Sequence, residues 1–128
     1  MSTKHIQKLI PTAIEAASIL KEKDGTISSE FNGYISSFGA SVISAGLLPS
    51  IIFYSQKGDS TERQKIITAI ETVLKKHDYP NINLLKKVEE LFKSEDKQSE
   101  INRLTDKISD ATVAIKLAIR TFPKSKKD

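Results

Sequence analysis

The residue types that most often carry catalysis or bind metals are scarce in this sequence. The chain of 128 residues has two histidines and no cysteine, which excludes disulfides, thiolate nucleophiles and the zinc or iron–sulfur sites that depend on cysteine. His5 and His77 each lie beside a lysine, with no HExxH or HxH spacing and no clustered carboxylates. We therefore interpret both histidines as surface or capping residues and predict no metal site.

The carboxylates and serines are not arranged for acid–base or nucleophilic chemistry either. Glu89-Glu90 and Glu95-Asp96 are neighbours in sequence, so their side chains diverge instead of facing each other. The sequence also lacks the glycine-rich GxxxxGKS/T and GxGxxG loops and the GxSxG nucleophile motif. We predict that the chain is not an enzyme and has no cofactor.

Basic residues are the clearest candidates for binding. The chain has a net charge of +4, and residues 116–128 carry an excess of the same size, from five basic side chains and one acidic side chain. Lysines can follow a phosphate backbone, whereas only three arginines are available for bidentate contacts to bases. A solubilising tail would look the same, so both interpretations stay open. The candidate phosphate contacts are Lys57, Lys65, Lys76, Lys116, Arg120 and Lys124.

Hydrophobic spacing predicts that helices carry these residues. Apolar residues recur at intervals of three and four along the chain, and no strand-like alternation competes with that pattern. The spacing predicts an all-α fold, a compact single-domain bundle of about five to six helices with a long C-terminal helix that ends at Pro123. We expect residues 1–122 to form this domain and residues 123–128 to form a basic, flexible C-terminal tail.

Two helical segments offer surfaces for protein partners. In the helix predicted over about 28 to 45, one face is bulky and another carries small residues. Gly33 and Gly39 inside this helix each cost about 1 kcal/mol unless a close neighbour offsets that cost. The neighbour is either another helix of the chain or a partner. Near the end of the last helix, further apolar residues lie off the buried stripe, so this end is either central in the core or offers an apolar patch to a partner. The candidate partner contacts are Gly33, Ser37, Ala40, Val113 and Leu117.

The 26 residues between Glu30 and Lys57 carry no formal charge, which raises the question of a membrane span. Serines, glycines and Pro49 interrupt the apolar run, so we predict no span and instead a helix pair joined near Gly46, with a short second helix from Pro49 to Gln56. The first residues lack the continuous apolar stretch of a signal peptide. We therefore expect a cytoplasmic protein.

The same uncharged segment carries a resemblance to a known family. Residues 34–58 read YISSFGASVISAGLLPSIIFYSQKG: a tyrosine-bearing helix, a Gly-Leu-Leu-Pro turn, and an apolar-aromatic helix that ends in a basic residue and glycine. This pattern resembles the small-subunit family of the type III-B CRISPR effector, the Cmr RNA-silencing complex. Chain length and the helical pattern on both sides of the segment agree with that family.

The resemblance implies a non-catalytic scaffold subunit that acts in antiviral defence. Family members are small α-helical bundles whose copies stack beside the backbone subunits that hold the guide RNA, and they help to position target RNA for cleavage by another subunit. The expected partners are therefore other Cmr-type subunits including the backbone subunit, further copies of this chain, guide RNA and target RNA, and no membrane. The resemblance also implies that Lys57, directly after the motif, faces RNA.

Two other functions remain possible from the sequence. A stand-alone helical nucleic-acid-binding or regulatory protein would need a recognition helix that exposes base-reading side chains. A small enzyme or toxin would need a polar pocket that the sequence does not indicate. Sequence-specific binding of naked duplex DNA would favour the first of these, and metal-dependent turnover the second.

Overall fold

Six α-helices follow one another in the part of the chain that a computed structural model describes, residues 3–56 and 61–124. The helices are α1 (Thr3–Ala17, continued by a 3-10 turn at Ser18–Leu20), α2 (Ser29–Ser44), α3 (Leu47–Ser55), α4 (Thr61–His77), α5 (Leu84–Phe92) and α6 (Gln98–Ile119). Over these same ranges there is no strand, and a single isolated parallel bridge joins Ile27 and Lys124. The prediction of an all-α bundle with a long last helix is confirmed.

The longest helix, α6, is also the centre of the bundle, because α1, α2, α4 and α5 all pack against it. The α1–α6 contact is the most extensive. On α1 the fully buried residues Ala13 and Ala16 are small enough for the two helix backbones to approach closely. On α6, Ile108 and Ile115 are fully buried. Burial of each isoleucine side chain contributes about 1.5–3 kcal/mol.

Helix α2 runs antiparallel to α6, as two contacts at different positions along α2 show. Near the start of α2, the Ile27 amide donates a hydrogen bond to the Pro123 carbonyl at 2.9 Å. Further along, a Cβ atom placed on Gly39 would lie 3.5 Å from Cγ2 of Thr112. For Gly39, the close neighbour is therefore another helix of the same chain. The predicted tail continues past Lys124 into residues 125–128, which lie outside the described residues, so the domain boundary stays a prediction.

The turn between α2 and α3 depends on Gly46. The amides of Ala45 and Gly46 both donate to the Ser41 carbonyl, at 2.7 and 3.2 Å, and Gly46 has a φ of 98°, which L side chains rarely adopt. The short helix was predicted to begin at Pro49, but it begins two residues earlier, at Leu47. Pro49 fits inside the first turn because amides there have no intrahelical partner to lose.

A side chain from α4 helps to start α5. The Leu84 amide donates to Oε2 of Glu71 at 2.8 Å, and the Lys86 amide donates to Oδ1 of Asn83 at 3.0 Å. Together these two acceptors satisfy two of the free amides at the helix N-terminus. None of the described helices is both long and apolar enough to span a membrane.

Candidate nucleic-acid and partner interface

Three of the predicted phosphate contacts lie together at the C-terminal end of α6. Lys116 is half-buried in the last turn, Arg120 is exposed at the C-cap, and Lys124 is exposed four residues further on. No carboxylate of the described residues lies within ion-pair distance of any of the three. Cations at this end also interact favourably with the helix dipole. This group, which we call the α6 basic cluster, therefore presents positive charge that no carboxylate of the described residues neutralises.

The two lysines predicted on α4 differ in their surroundings. Both are exposed, but Nζ of Lys76 lies 2.8 Å from Oε2 of Glu15 on α1, whereas Lys65 has no carboxylate partner among the described residues. Nζ of Lys65 instead lies 6.0 Å from the centroid of the Phe31 ring. An exposed ion pair is worth less than about 1 kcal/mol, so phosphate could compete with Glu15. Lys65 nevertheless offers the more available charge.

Lys57 lies in residues 57–60, outside the part of the chain that the structure describes, so its predicted RNA contact stays a prediction. The residues on either side of this gap are connected. The Gln64 side-chain amide on α4 donates to the Gln56 carbonyl at the end of α3, at 2.6 Å. The end of α3 is therefore tied to the first turns of α4.

The small face of α2 is open. Gly33, Ser37 and Ala40 are all exposed, and a Cβ atom placed on Gly33 would meet nothing within 4 Å. Gly39, in contrast, lies against Thr112 of α6. Near the end of the same helix, Ile43 is 87% exposed, which sequence reasoning missed. The open face therefore combines small residues with one large apolar side chain.

The two apolar candidates on α6 lie on its outer side, one helical turn apart. Val113 is half-buried and Leu117 is 39% exposed, while Ala114 and Ile115, which lie between them in sequence, are fully buried. The sequence left open whether this end was central in the core or offered an apolar patch. The structure shows both features at this end of α6: one side of the helix is buried in the core, and the other side leaves Leu117 accessible.

Both histidines make side-chain contacts with α1 or α6. Nδ1 of His5 lies 3.2 Å from Oδ2 of Asp110, which joins the first turn of α1 to the middle of α6. Nε2 of His77 lies 3.1 Å from Oγ1 of Thr12. His77 fits the predicted surface position at a helix end, whereas the contact of His5 with α6 was not foreseen. Among residues 3–56 and 61–124, no group of three or more acidic, histidine or cysteine side chains is close enough to hold a metal ion.

A cluster of aromatic rings around Arg63 was also missed. The guanidinium carbon of Arg63, in the first turn of α4, lies 4.9 Å from the Phe53 ring centroid and 5.8 Å from the Tyr34 ring centroid. The Tyr54 hydroxyl donates to the Tyr34 carbonyl at 3.1 Å. Burial raises the pKa of Tyr54 and outweighs the charge of Arg63, which acts in the opposite direction.

No local sequence pattern could have revealed this cluster, because its members come from α2, α3 and α4. The only hint of the cluster in the sequence was the composition of this region. Five aromatic residues fall within the uncharged segment, and Arg63 is the first basic residue after Lys57. Their proximity becomes visible only when the three helices are packed.

A family model matches most of the chain. The family described as CRISPR-associated protein (Cas_Cmr5) matches residues 5–118, from the first turn of α1 to the last turn of α6. No curated protein and no solved structure matches the chain at a significant level.

Proposed function

Because the chain belongs to the Cas_Cmr5 family of CRISPR-associated proteins, we propose that it is the non-catalytic small subunit of a type III-B, or Cmr, ribonucleoprotein effector. In this role, copies of the chain stack as a helical scaffold along the guide–target RNA and position target RNA for cleavage by another subunit. The observation that carries the proposal is the family match over residues 5–118.

A structural use for the histidines supports the non-catalytic part of the proposal. His5 contacts Asp110 and His77 contacts Thr12, so each ring has a partner that links two helices. The subunit would then contribute binding and geometry, and the chemistry would come from elsewhere in the effector.

The α6 basic cluster supports the RNA-binding part. Lys116, Arg120 and Lys124 present charge without a competing carboxylate among the described residues. A contact between a basic side chain and a phosphate depends on charge and carries no sequence information. Binding of this kind depends on salt and not on sequence, as a scaffold for many different guides requires. Guide RNA and target RNA are therefore the proposed ligands.

Two exposed surfaces support contacts with protein neighbours. One is the open face of α2, with Gly33 and Ile43, and the other is the outer side of α6, with Leu117. A subunit that stacks head to tail needs two different surfaces, one for each neighbour. We propose the backbone subunit and further copies of this chain as the occupants, in a cytoplasmic complex.

A tagged pull-down from the native cell tests the proposal. Proteins are identified by mass spectrometry, and retained RNA is sequenced. We expect other Cmr-type subunits together with short RNAs that share one repeat-derived 5′ tag. Recovery of the chain alone in gentle salt, with neither subunits nor guide RNA, would contradict the proposal. Specific retention of duplex DNA would favour the stand-alone regulator instead.

A further inference from the structure

We propose that Arg63 and Phe53, supported by Tyr34, form a binding site for one unpaired RNA nucleotide, with Arg63 binding its phosphate and Phe53 stacking on its base. The inference rests on the proposed RNA-binding function and adds a specific site to it. This site is separate from the α6 basic cluster, because its members come from α2, α3 and α4.

The rings hold the guanidinium of Arg63 in place. Its central carbon lies 4.9 Å from the centroid of Phe53 and 5.8 Å from that of Tyr34, within the range of a cation–π contact. Two helices other than its own therefore restrict this side chain. Much of the conformational entropy that an arginine loses on binding a ligand is already absent in the folded protein.

The rings themselves are fixed by buried neighbours. Phe53 packs edge-on against Tyr54, with centroids 5.6 Å apart, and Tyr54 is only 4% exposed. Tyr34 packs edge-on against the buried Phe31, with centroids 6.1 Å apart, and its carbonyl accepts the Tyr54 hydroxyl. The site is therefore supported by the core below it.

The groups that would bind a nucleotide are unused. The Arg63 side chain makes no hydrogen bond and no ion pair with any residue in the described ranges. A guanidinium has five N–H donors and can bind a phosphate bidentately, and no described residue accepts a hydrogen bond from those of Arg63. Phe53 is 49% exposed, so part of its ring can stack on a planar base.

Charge and chemistry favour a nucleotide over a peptide as the occupant. Lys65, two residues after Arg63, is exposed and has no carboxylate partner among the described residues, so it adds a second cation near the site. A phosphate and a planar base, joined by a sugar, match a free guanidinium edge beside a half-exposed ring. Stacking accepts every base, which suits a subunit that must bind any target.

The experiment compares variants of the full chain in the reconstituted effector, with target RNA as the probe. Phe53→Leu removes the ring and keeps apolar bulk, and Arg63→Gln removes the charge. Arg103→Gln is the matched control, because Arg103 is an exposed arginine on α6 with no ion pair or ring contact among the described residues. Chemical unfolding of each isolated variant checks that the fold is intact.

The two variants have different expected signatures. Phe53→Leu should weaken target-RNA binding about fivefold or more, the low end of what one stacked base contributes, without changing the salt dependence. Arg63→Gln should weaken binding and also reduce the slope of log K against log salt by about 0.7, the value for one phosphate on a single strand. Arg103→Gln should change neither. Target RNA carrying 4-thiouridine should crosslink to Phe53 or Tyr34 on irradiation.

Other outcomes would overturn the inference in distinguishable ways. If variants of the α6 basic cluster weaken binding but Phe53→Leu and Arg63→Gln do not, the site is wrong and the proposed function stands. If the effector binds target RNA equally well without this subunit, the proposed RNA-binding function itself fails. If Phe53→Leu and Arg63→Gln keep their fold but no longer enter the effector, the cluster contacts a protein subunit instead.

Discussion

Nδ1 of His5 lies 3.2 Å from Oδ2 of Asp110, so a partly buried side-chain pair joins the first turn of α1 to the middle of α6. The pair spans the most extensive helix contact of the bundle. A buried carboxylate that loses its partner keeps its desolvation cost without compensation. This relationship therefore makes the stability of the bundle sensitive to either residue.

Asp110→Ala should lower the free energy of unfolding by about 1–3 kcal/mol, because it removes a partly buried side-chain contact between α1 and α6. Asp110→Asn keeps an acceptor of the same shape and should cost less. Asp106→Ala, at an exposed position one turn earlier on α6, is the control and should stay within about 0.5 kcal/mol. Urea unfolding followed by circular dichroism measures all three. Equal costs for Asp110→Ala and Asp106→Ala would contradict the prediction.

Tyr54 should make stability depend on alkaline pH. Because burial raises its pKa above the value of about 10 in the unfolded chain, its contribution is complete below about pH 10 and is lost as the pH rises through the folded-state pKa. Tyr54→Phe also removes the hydrogen bond to the Tyr34 carbonyl, at a cost of about 0.5–1.5 kcal/mol near neutral pH.

The difference in unfolding free energy between the wild type and Tyr54→Phe should therefore shrink above about pH 10. Urea unfolding at several pH values measures this difference. The change in tyrosinate absorbance between the two proteins gives the titration of Tyr54 itself. A difference that stays constant from about pH 8 to about pH 11 would contradict the assignment.

Ile43→Lys should separate folding from assembly. The side chain is 87% exposed, so the substitution should change the unfolding free energy by less than about 0.5 kcal/mol. A lysine on the open face of α2 should nevertheless reduce recovery of the subunit in the effector, because a charge would be buried against a neighbour. Asn102→Lys, at an exposed position of α6, adds the same charge elsewhere. Normal recovery of Ile43→Lys would show that this face stays in solvent.

The α6 basic cluster should determine part of the salt dependence of RNA binding. Combining Lys116→Gln with Arg120→Gln should reduce the slope of log K against log salt by about 1.4–1.8, because each of the two side chains would bind one phosphate of a single strand or of a duplex. Lys76→Gln should have a smaller effect, because Glu15 already pairs with that lysine. Titrations of target RNA with the effector at several salt concentrations test this prediction. An unchanged slope for the double variant would show that these two side chains do not contact RNA phosphates.

The helical architecture could be predicted because it depends on short-range periodicity. Apolar spacing determined α6 as the longest helix, and Gly46 marked the end of α2. The start of α3 was misplaced by two residues, since proline is tolerated anywhere in a first helical turn and its position alone does not identify the first residue.

The surfaces were less predictable because they depend on pairs that are distant in sequence. Lys76 was a candidate phosphate contact, yet its pairing with Glu15 joins residues 61 positions apart. In the same way, the ring contacts of Arg63 require α2, α3 and α4 to be packed first. Composition identifies residues that can bind, whereas tertiary packing decides which of them remain available.

The central position of α6 also has a consequence for biosynthesis. The uncharged segment that forms α2 and α3 leaves the ribosome about 60 residues before α6 is complete. At translation rates of about 5–20 residues per second, its apolar side chains remain exposed for roughly 3–12 seconds until α6 is synthesised and can cover them. During that interval chaperone binding competes with aggregation, so the yield of folded subunit depends on translation speed as well as on equilibrium stability.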